Sequence, residues 1–203
     1  MPNIMERIIF LLLGIKQLNI KSVIRFVMNY SKIEPMSIVD GEGLRVSLFV
    51  SGCRNHCKGC FNPETWDFSY GKEFDAIAEN EVIEACRPSY IAGLTVLGGE
   101  PFEPENQWGL LPFLSKFKEK YPDKTLWMFT GYVLDKDLLT GQRQDIHLVT
   151  SNILKTVDVL VDGPFILEQR DISLKFRGSS NQRIRTREEI QKLLDSMPAA
   201  RGL

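Results

Sequence analysis

Cys53, Cys57 and Cys60 fall within eight residues in the pattern C-x3-C-x2-C. That spacing constrains the chain more than any other feature. Three thiolates so close in sequence can grip one metal centre. The fourth cysteine, Cys86, stands apart, so the four do not read as two disulfides. Structural disulfides are uncommon in reducing compartments, where clustered cysteines point to metal or catalysis. A cytoplasmic protein is expected.

A cubane iron–sulfur cluster usually takes four thiolates. Three would leave one iron without a protein thiolate. An open metal position is where a substrate binds, by the logic that separates catalytic from structural zinc. Zinc stays open as an alternative, with His56, His147 or Cys86 as the fourth ligand. His56 adjoins Cys57, so it is expected to point away from a centre that Cys57 faces. Cys86 lies on the apolar face of a helical pattern and reads as a small buried hydrophobe.

With 203 residues, 43% of them hydrophobic, the chain suits one domain with a sizeable core. Lys and Arg number 25 against 26 Asp and Glu, a net charge of −1. Such a balance gives no global field toward nucleic acid or an anionic membrane. The apolar run at residues 8–15 is too short to span a bilayer, which takes about 20 residues. Glu6 accompanies Arg7 before that run and no small-x-small cleavage site follows it, unlike a signal peptide. Residues 1–27 read as an amphipathic or poorly ordered N-terminal extension, with a sharper alternative in which Met28 is the biological start and residues 1–27 come from an upstream start codon. Residues 28–187 form the main domain and residues 188–203 a C-terminal helix and tail.

Along the main domain, residues 28–36 are polar and broken by Pro35. Asp40, Gly41 and Gly43 mark a turn. Residues 44–51 read as the first strand, with Phe49 suggesting burial on both faces. The cysteines follow directly, at that strand's C-terminal end, where α/β folds place their chemistry. A helix is expected over residues 74–86, then a strand at 94–97 followed by Gly98, Gly99, Glu100 and Pro101. Paired glycines let a ligand approach the backbone, and Glu100 offers a carboxylate at the sheet edge. A helix within residues 108–120 is expected to have Pro112 near its first turn. Strands at 126–130 and 157–161, short helices at 134–139 and 152–155, a polar loop at 140–145 and a final helix at 188–197 complete the pattern. Strand and helix repeat at βαβ spacing, so the fold class is α/β, an incomplete, open (β/α) barrel with a mostly parallel sheet. Trp66, Trp108 and Trp127 read as core or rim. Arg170, Lys175, Arg177, Arg183, Arg185 and Arg187 form a loose basic run, read slightly more readily as a solvated face than as a docking patch.

Cys53-x3-Cys57-x2-Cys60-Phe61, opening after a first strand, resembles the signature of the radical S-adenosylmethionine (SAM) enzymes. Gly98-Gly99-Glu100-Pro101 resembles the glycine motif of that superfamily. The stretch Val39-Asp-Gly-Glu-Gly-Leu-Arg45 resembles the lead-in of glycyl-radical activating enzymes. Trp127-Met-Phe-Thr-Gly-Tyr132, Val159-Leu-Val-Asp-Gly-Pro-Phe165 and Phe176-Arg-Gly-Ser-Ser-Asn-Gln182 resemble the activating proteins of anaerobic (class III) ribonucleoside-triphosphate reductase.

The resemblance implies a barrel of the radical SAM type and a [4Fe–4S] cluster held by Cys53, Cys57 and Cys60. SAM would chelate the remaining iron and contact Gly59, Cys60, Phe61, Gly98, Gly99 and Glu100. The implied reaction is reductive cleavage of SAM, with the resulting 5′-deoxyadenosyl radical taking hydrogen from a glycine of the reductase. Flavodoxin is the implied electron donor. Rival readings are an activating enzyme for another glycyl-radical enzyme, such as pyruvate formate-lyase, and a non-catalytic zinc-binding module.

Overall fold

The structure is a computed structural model that describes residues 27–140 and 147–196. Apart from Val27, the extension expected at residues 1–27 lies outside the described residues. So do residues 141–145 of the expected polar loop and residues 197–203 of the tail.

Seven strands make one open sheet: β1 (Asn29–Ser37), β2 (Leu44–Val50), β3 (Lys72–Glu73), β4 (Ile91–Gly98), β5 (Thr125–Phe129), β6 (Val159–Asp162) and β7 (Arg183–Thr186). Their order across the sheet is β3-β1-β2-β4-β5-β6-β7. The four central strands β2, β4, β5 and β6 run parallel. The flanks are antiparallel, so the expected parallel pairing is found in the middle of the sheet and not at its edges. The reason is connection length. Only residues 38–43 join β1 to β2, too short for the crossover that a parallel pair needs.

Residues 28–36, polar and broken by Pro35, belong largely to β1. Pro35 and Met36 fall where the register shifts between Glu34 and Ser37. A bulge is one of the few places in a strand that tolerates a residue without an N–H. β7 occupies part of the basic run. Its Arg183 pairs with Asp162 and Asp135, and the neighbouring Arg187 with Asp158. Arg177 donates to the Gln182 carbonyl at 3.1 Å. These arginines fasten the sheet edge and its turn and are not a free basic patch.

Helices α1 (Ala76–Ala85), α2 (Pro104–Lys120), α3 (His147–Leu154) and α4 (Arg187–Asp195) supply the second layer. Asp75 caps α1 by accepting from the amides of Ile77 and Ala78, and Thr186 with Glu189 forms a capping box on α4. α2 begins four residues before the expected start. Pro104, not Pro112, takes the first-turn position, while Pro112 sits exposed inside the helix, where water can serve the hydrogen bond it lacks.

Strand alternation decides the two faces. Val46, Leu48, Val50, Leu94, Val96, Leu126, Met128 and Leu160 face the helices and join Val82, Ile83, Leu110, Phe113, Phe117 and Ile153 in one core. Each such side chain contributes about 1.5–3 kcal/mol on burial. The intervening residues Arg45, Ser47, Thr95 and Trp127 lie on the other face. There Arg45 is fully buried, with all five guanidinium N–H groups committed. They go to the Thr95 and Thr125 hydroxyls and to the carbonyls of Glu42, Leu94 and Thr125. Burial pulls its pKa down to about 10. The β1–β2 connection folds over this arginine, leaving the upper part of the same face free for a cavity.

Candidate active site

Two strand-end loops meet above the sheet, and main-chain geometry fixes how. β2 runs into Gly52, whose φ of +96° and whose 2.3 Å gap between a would-be Cβ and the Phe68 ring exclude any side chain. The loop then closes on its own return segment, with the Gly52 amide donating to the Thr65 carbonyl and that of Cys53 to Trp66. From β4, the amide of Gly99 donates to the Val50 carbonyl and that of Glu100 to the Gly52 carbonyl, both at 2.8 Å. Asn106, buried in the first turn of α2, donates to the carbonyls of Ser51, Gly52 and Glu100. The cysteine loop and the glycine turn are therefore one bonded unit.

Cys53, Cys57, Cys60, Phe61, Gly98, Gly99 and Glu100 line one cavity of about 230 Å³. These are seven of the eight residues expected to hold or contact a cofactor. Gly59 is the exception: it is exposed, does not line the cavity, and has Leu167 3.0 Å from a would-be Cβ. Leu97 and Phe129 form the cavity's apolar floor, and Thr130, Gly131, Gly163, Phe165, Gly178 and Gln182 its far side. Sequence reasoning gave none of these a site role. Thr130, Gly131 and Gly163 directly follow β5 and β6, and the rule that α/β chemistry gathers at the C-terminal ends of parallel strands points to them.

The thiols of Cys53, Cys57 and Cys60 are free. Burial pushes Cys53 up to about 11 and raises Cys57 as well. A bound cationic centre reverses that preference, because a coordinating thiol is deprotonated outright. Among the described residues, no three His, Cys, Asp or Glu side chains already stand close enough together to hold an ion. The donor set nonetheless fits an iron–sulfur cluster: three free thiols line a single cavity, beside paired glycines that leave the backbone approachable. Two of the zinc candidates fall away. Cys86 is fully buried in the core, pushed up to about 12 by burial. His56 has a positive φ of 46° and stacks on Trp66 with ring centroids 4.5 Å apart, outside the cavity lining. The side chain of His147 lies outside the described ones. Trp66 is at the cavity rim, as expected for a rim residue.

Glu100 is fully enclosed and accepts four hydrogen bonds. Oε1 takes those of the Phe102 amide and the Thr130 hydroxyl; Oε2 takes those of the Gly131 amide and the Asn55 side-chain amide. Burial pushes this carboxyl up to about 7 in spite of those donors, which pull the other way. Arg54, next to Cys53, is gripped by Glu105 and Glu103, which hold its guanidinium above the ordinary value.

A family model described as "4Fe-4S single cluster domain" matches residues 39–185. The span takes in every cavity-lining residue. An anaerobic ribonucleoside-triphosphate reductase-activating protein of Haemophilus influenzae is 45% identical over 157 residues, covering 76% of this chain and 96% of the relative. The protein of that name from Escherichia coli K12 is 38% identical over 157 residues, with 76% and 96% covered. That of Enterobacteria phage T4 is 37% identical over 159 residues, with 77% and 93% covered. The chain belongs to the family of anaerobic ribonucleoside-triphosphate reductase-activating proteins. In this member of the family the cluster-domain match and the three-thiol cavity coincide. No helix among the described residues is long and apolar enough to cross a membrane.

Proposed function

We propose that this chain is a cytoplasmic radical SAM enzyme that activates an anaerobic ribonucleoside-triphosphate reductase by generating a glycyl radical on it. One observation carries the reading: the three cysteine thiols and the Gly98-Gly99-Glu100 turn line the same cavity at the C-terminal ends of parallel strands. The names of the relatives supply the protein target and favour the reductase over pyruvate formate-lyase. The four parallel strands support reading the sheet as an incomplete barrel of the radical SAM type.

Cys53, Cys57 and Cys60 would hold a [4Fe–4S] cluster, leaving one iron for SAM. Bound there, a cluster would supply the low-potential electron for reductive cleavage of SAM, which would yield methionine and a 5′-deoxyadenosyl radical able to take hydrogen from a glycine Cα. Flavodoxin is the proposed electron donor. The chain's own residues bind, orient and exclude water. Gly98 and Gly99 leave the cavity wall without side chains, so the methionine end of SAM can lie against the backbone. Gly98 has a φ of +106°, and a would-be Cβ there stands 2.8 Å from the Phe49 Cα and the Val50 backbone, so the position belongs to glycine. Leu97 and Phe129 offer an apolar floor, and Phe61 stands exposed at the mouth, between Phe165 and the Arg170 guanidinium. Glycine is a suitable target because a backbone without Cβ can come closest to a recessed cavity.

The test is anaerobic reconstitution with iron and sulfide, followed by dithionite, SAM and the candidate reductase. An iron–sulfur absorption band that bleaches on reduction, 5′-deoxyadenosine, and a glycyl-radical signal in electron paramagnetic resonance (EPR) are expected. Colourless protein holding one zinc overturns the reading.

A further inference from the structure

Glu103 is fully buried, yet it stands outside the cavity lining. It occupies the N-cap position of α2 but makes no side-chain cap to its own helix. Its carboxylate crosses to the neighbouring loops instead. Oε1 accepts from the Arg54 backbone amide at 3.0 Å and from the Tyr132 hydroxyl at 3.1 Å. Oε2 accepts from the Arg54 guanidinium at 2.5 Å. Arg54 is braced further by Glu105, at 2.6 and 3.0 Å, and lies 4.3 Å over the Phe68 ring. The same Phe68 ring closes over Gly52.

These contacts join three strand ends. Arg54 directly follows Cys53 on the loop after β2, Tyr132 lies on the loop after β5, and the Glu103 amide donates to the Glu100 carbonyl in the turn after β4. Glu100 ties the same three loops from the cavity side, through Asn55, Thr130 and Gly131. Two carboxylates three residues apart thus fasten one junction from two sides. A charged group given up from capping its own helix and enclosed against one arginine is costly to keep unless its geometry matters elsewhere.

We infer that Glu103 is a positioning residue for the reaction: through Arg54 and Tyr132 it sets the cysteine loop against the Gly98–Glu100 turn, so that cluster and SAM meet at one point in the cavity. The inference rests on the function proposed above. One Glu103 oxygen on the Arg54 backbone amide and the other on its guanidinium give the loop one orientation, where a single neutral bond leaves it a range. A displacement of about 1 Å at such a junction costs on the order of 100-fold in rate.

The test compares Glu103→Ala and Glu103→Gln with the wild-type protein, each reconstituted anaerobically. Iron content, the EPR spectrum of the reduced cluster with and without SAM, and the KM and kcat for 5′-deoxyadenosine formation are measured, with the thermal midpoint of the cluster-free protein as the folding control. Glu103→Ala is expected to load iron, to lose most of the SAM-induced change in the EPR spectrum and to raise the KM for SAM at least tenfold. Glu103→Gln keeps an oxygen for the Arg54 amide and is expected to recover most of both. Arg54→Gln, checked by the same thermal midpoint because it removes a charged partner of the buried Glu103, is expected to fall between them. SAM-induced spectra and KM values within twofold of wild type in Glu103→Ala and Arg54→Gln overturn the inference. So does a failure of Glu103→Ala to fold while Arg54→Gln behaves as wild type, since Glu103 is then only structural. A wild-type protein that loads a cluster but shows no SAM-dependent spectrum sinks the proposed function itself, and the positioning role with it.

Discussion

The side-chain amide of Asn55 donates to the Glu100 carboxylate at 3.0 Å, bonding the loop that carries the cysteines to the turn after β4. Asn55 lies between Cys53 and Cys57, so the bond acts in the middle of the expected cluster loop. With Phe102, Thr130 and Gly131 also donating, both carboxylate oxygens of Glu100 are engaged before any ligand arrives. In the proposed enzyme this carboxylate both faces the cavity and holds its walls together.

That arrangement has a pH signature. Burial raises Glu100 from an ordinary 4.5 to about 7. The folded protein therefore binds this proton more tightly than the unfolded chain. The stabilisation is fully present below pH 4.5 and is lost as pH rises through about 7. Its size is on the order of 3 kcal/mol. Urea denaturation of the cluster-free protein from pH 4 to 8 is expected to show stability falling over that window. Glu100→Gln, which does not titrate, is expected to remove that part of the slope. Parallel pH profiles for the two proteins would refute the assignment.

Gly99 gives a geometric test of the same junction. Its backbone is unstrained, but a would-be Cβ stands 2.7 Å from the Gly52 carbonyl oxygen and 3.0 Å from that of Thr65. Both belong to the cysteine loop and its return segment. Gly99→Ala must push that loop away, at a cost of about 1–3 kcal/mol. The expected result is a folded protein that loads iron and needs a higher SAM concentration for half-maximal 5′-deoxyadenosine formation. An unchanged SAM dependence would mean that the two loops need not touch.

How far the residues alone revealed this site depends on what each signal encodes. The cysteine spacing and the paired glycines are local, so their positions at the ends of β2 and β4 were legible. Gly59 has a φ of +75° and Leu167 beside it, outside the cavity lining, a tertiary fact that spacing does not hold. β1 was hidden because Pro35 argues against a strand unless a bulge accommodates it, and bulges depend on the partner strand. β7 was hidden because the alternation in Arg183–Thr186 has arginine where apolar residues normally signal burial. Those arginines find their acids only after β6 is in place. Thr130 and Asn55 lie inside sequence motifs, but the motifs do not say that a buried carboxylate recruits them.

Arg45 offers a prediction away from the cavity. Its five donors fasten the β1–β2 connection to β4 and β5, and it lies 5.4 Å over the Trp127 ring. Lysine has three donors on a single nitrogen and cannot reproduce the planar fork. Arg45→Lys is expected to cost roughly 2 kcal/mol and Arg45→Ala 3 kcal/mol or more, because carbonyls of Leu94 and Thr125 lose their donors. Limited proteolysis should then cut first within residues 38–43. A loop as resistant as in the wild type would show that Arg45 does not hold it.

The four cysteines separate by environment, and substitution should divide them three to one. Cys53, Cys57 and Cys60 share the cavity, whereas Cys86 is enclosed among apolar side chains and kept protonated by burial. Alanine at any of the first three leaves only two thiolates for a cluster that needs three from the chain. Iron and sulfide per chain are expected to collapse, along with 5′-deoxyadenosine formation, while the cluster-free fold keeps its thermal midpoint to within a few degrees. Cys86→Ala is expected to do the opposite, loading iron fully while losing about 1–2 kcal/mol of stability to the small void it leaves. Loss of iron in Cys86→Ala with the fold intact would move a ligand from the cavity into the core and overturn the three-thiolate assignment.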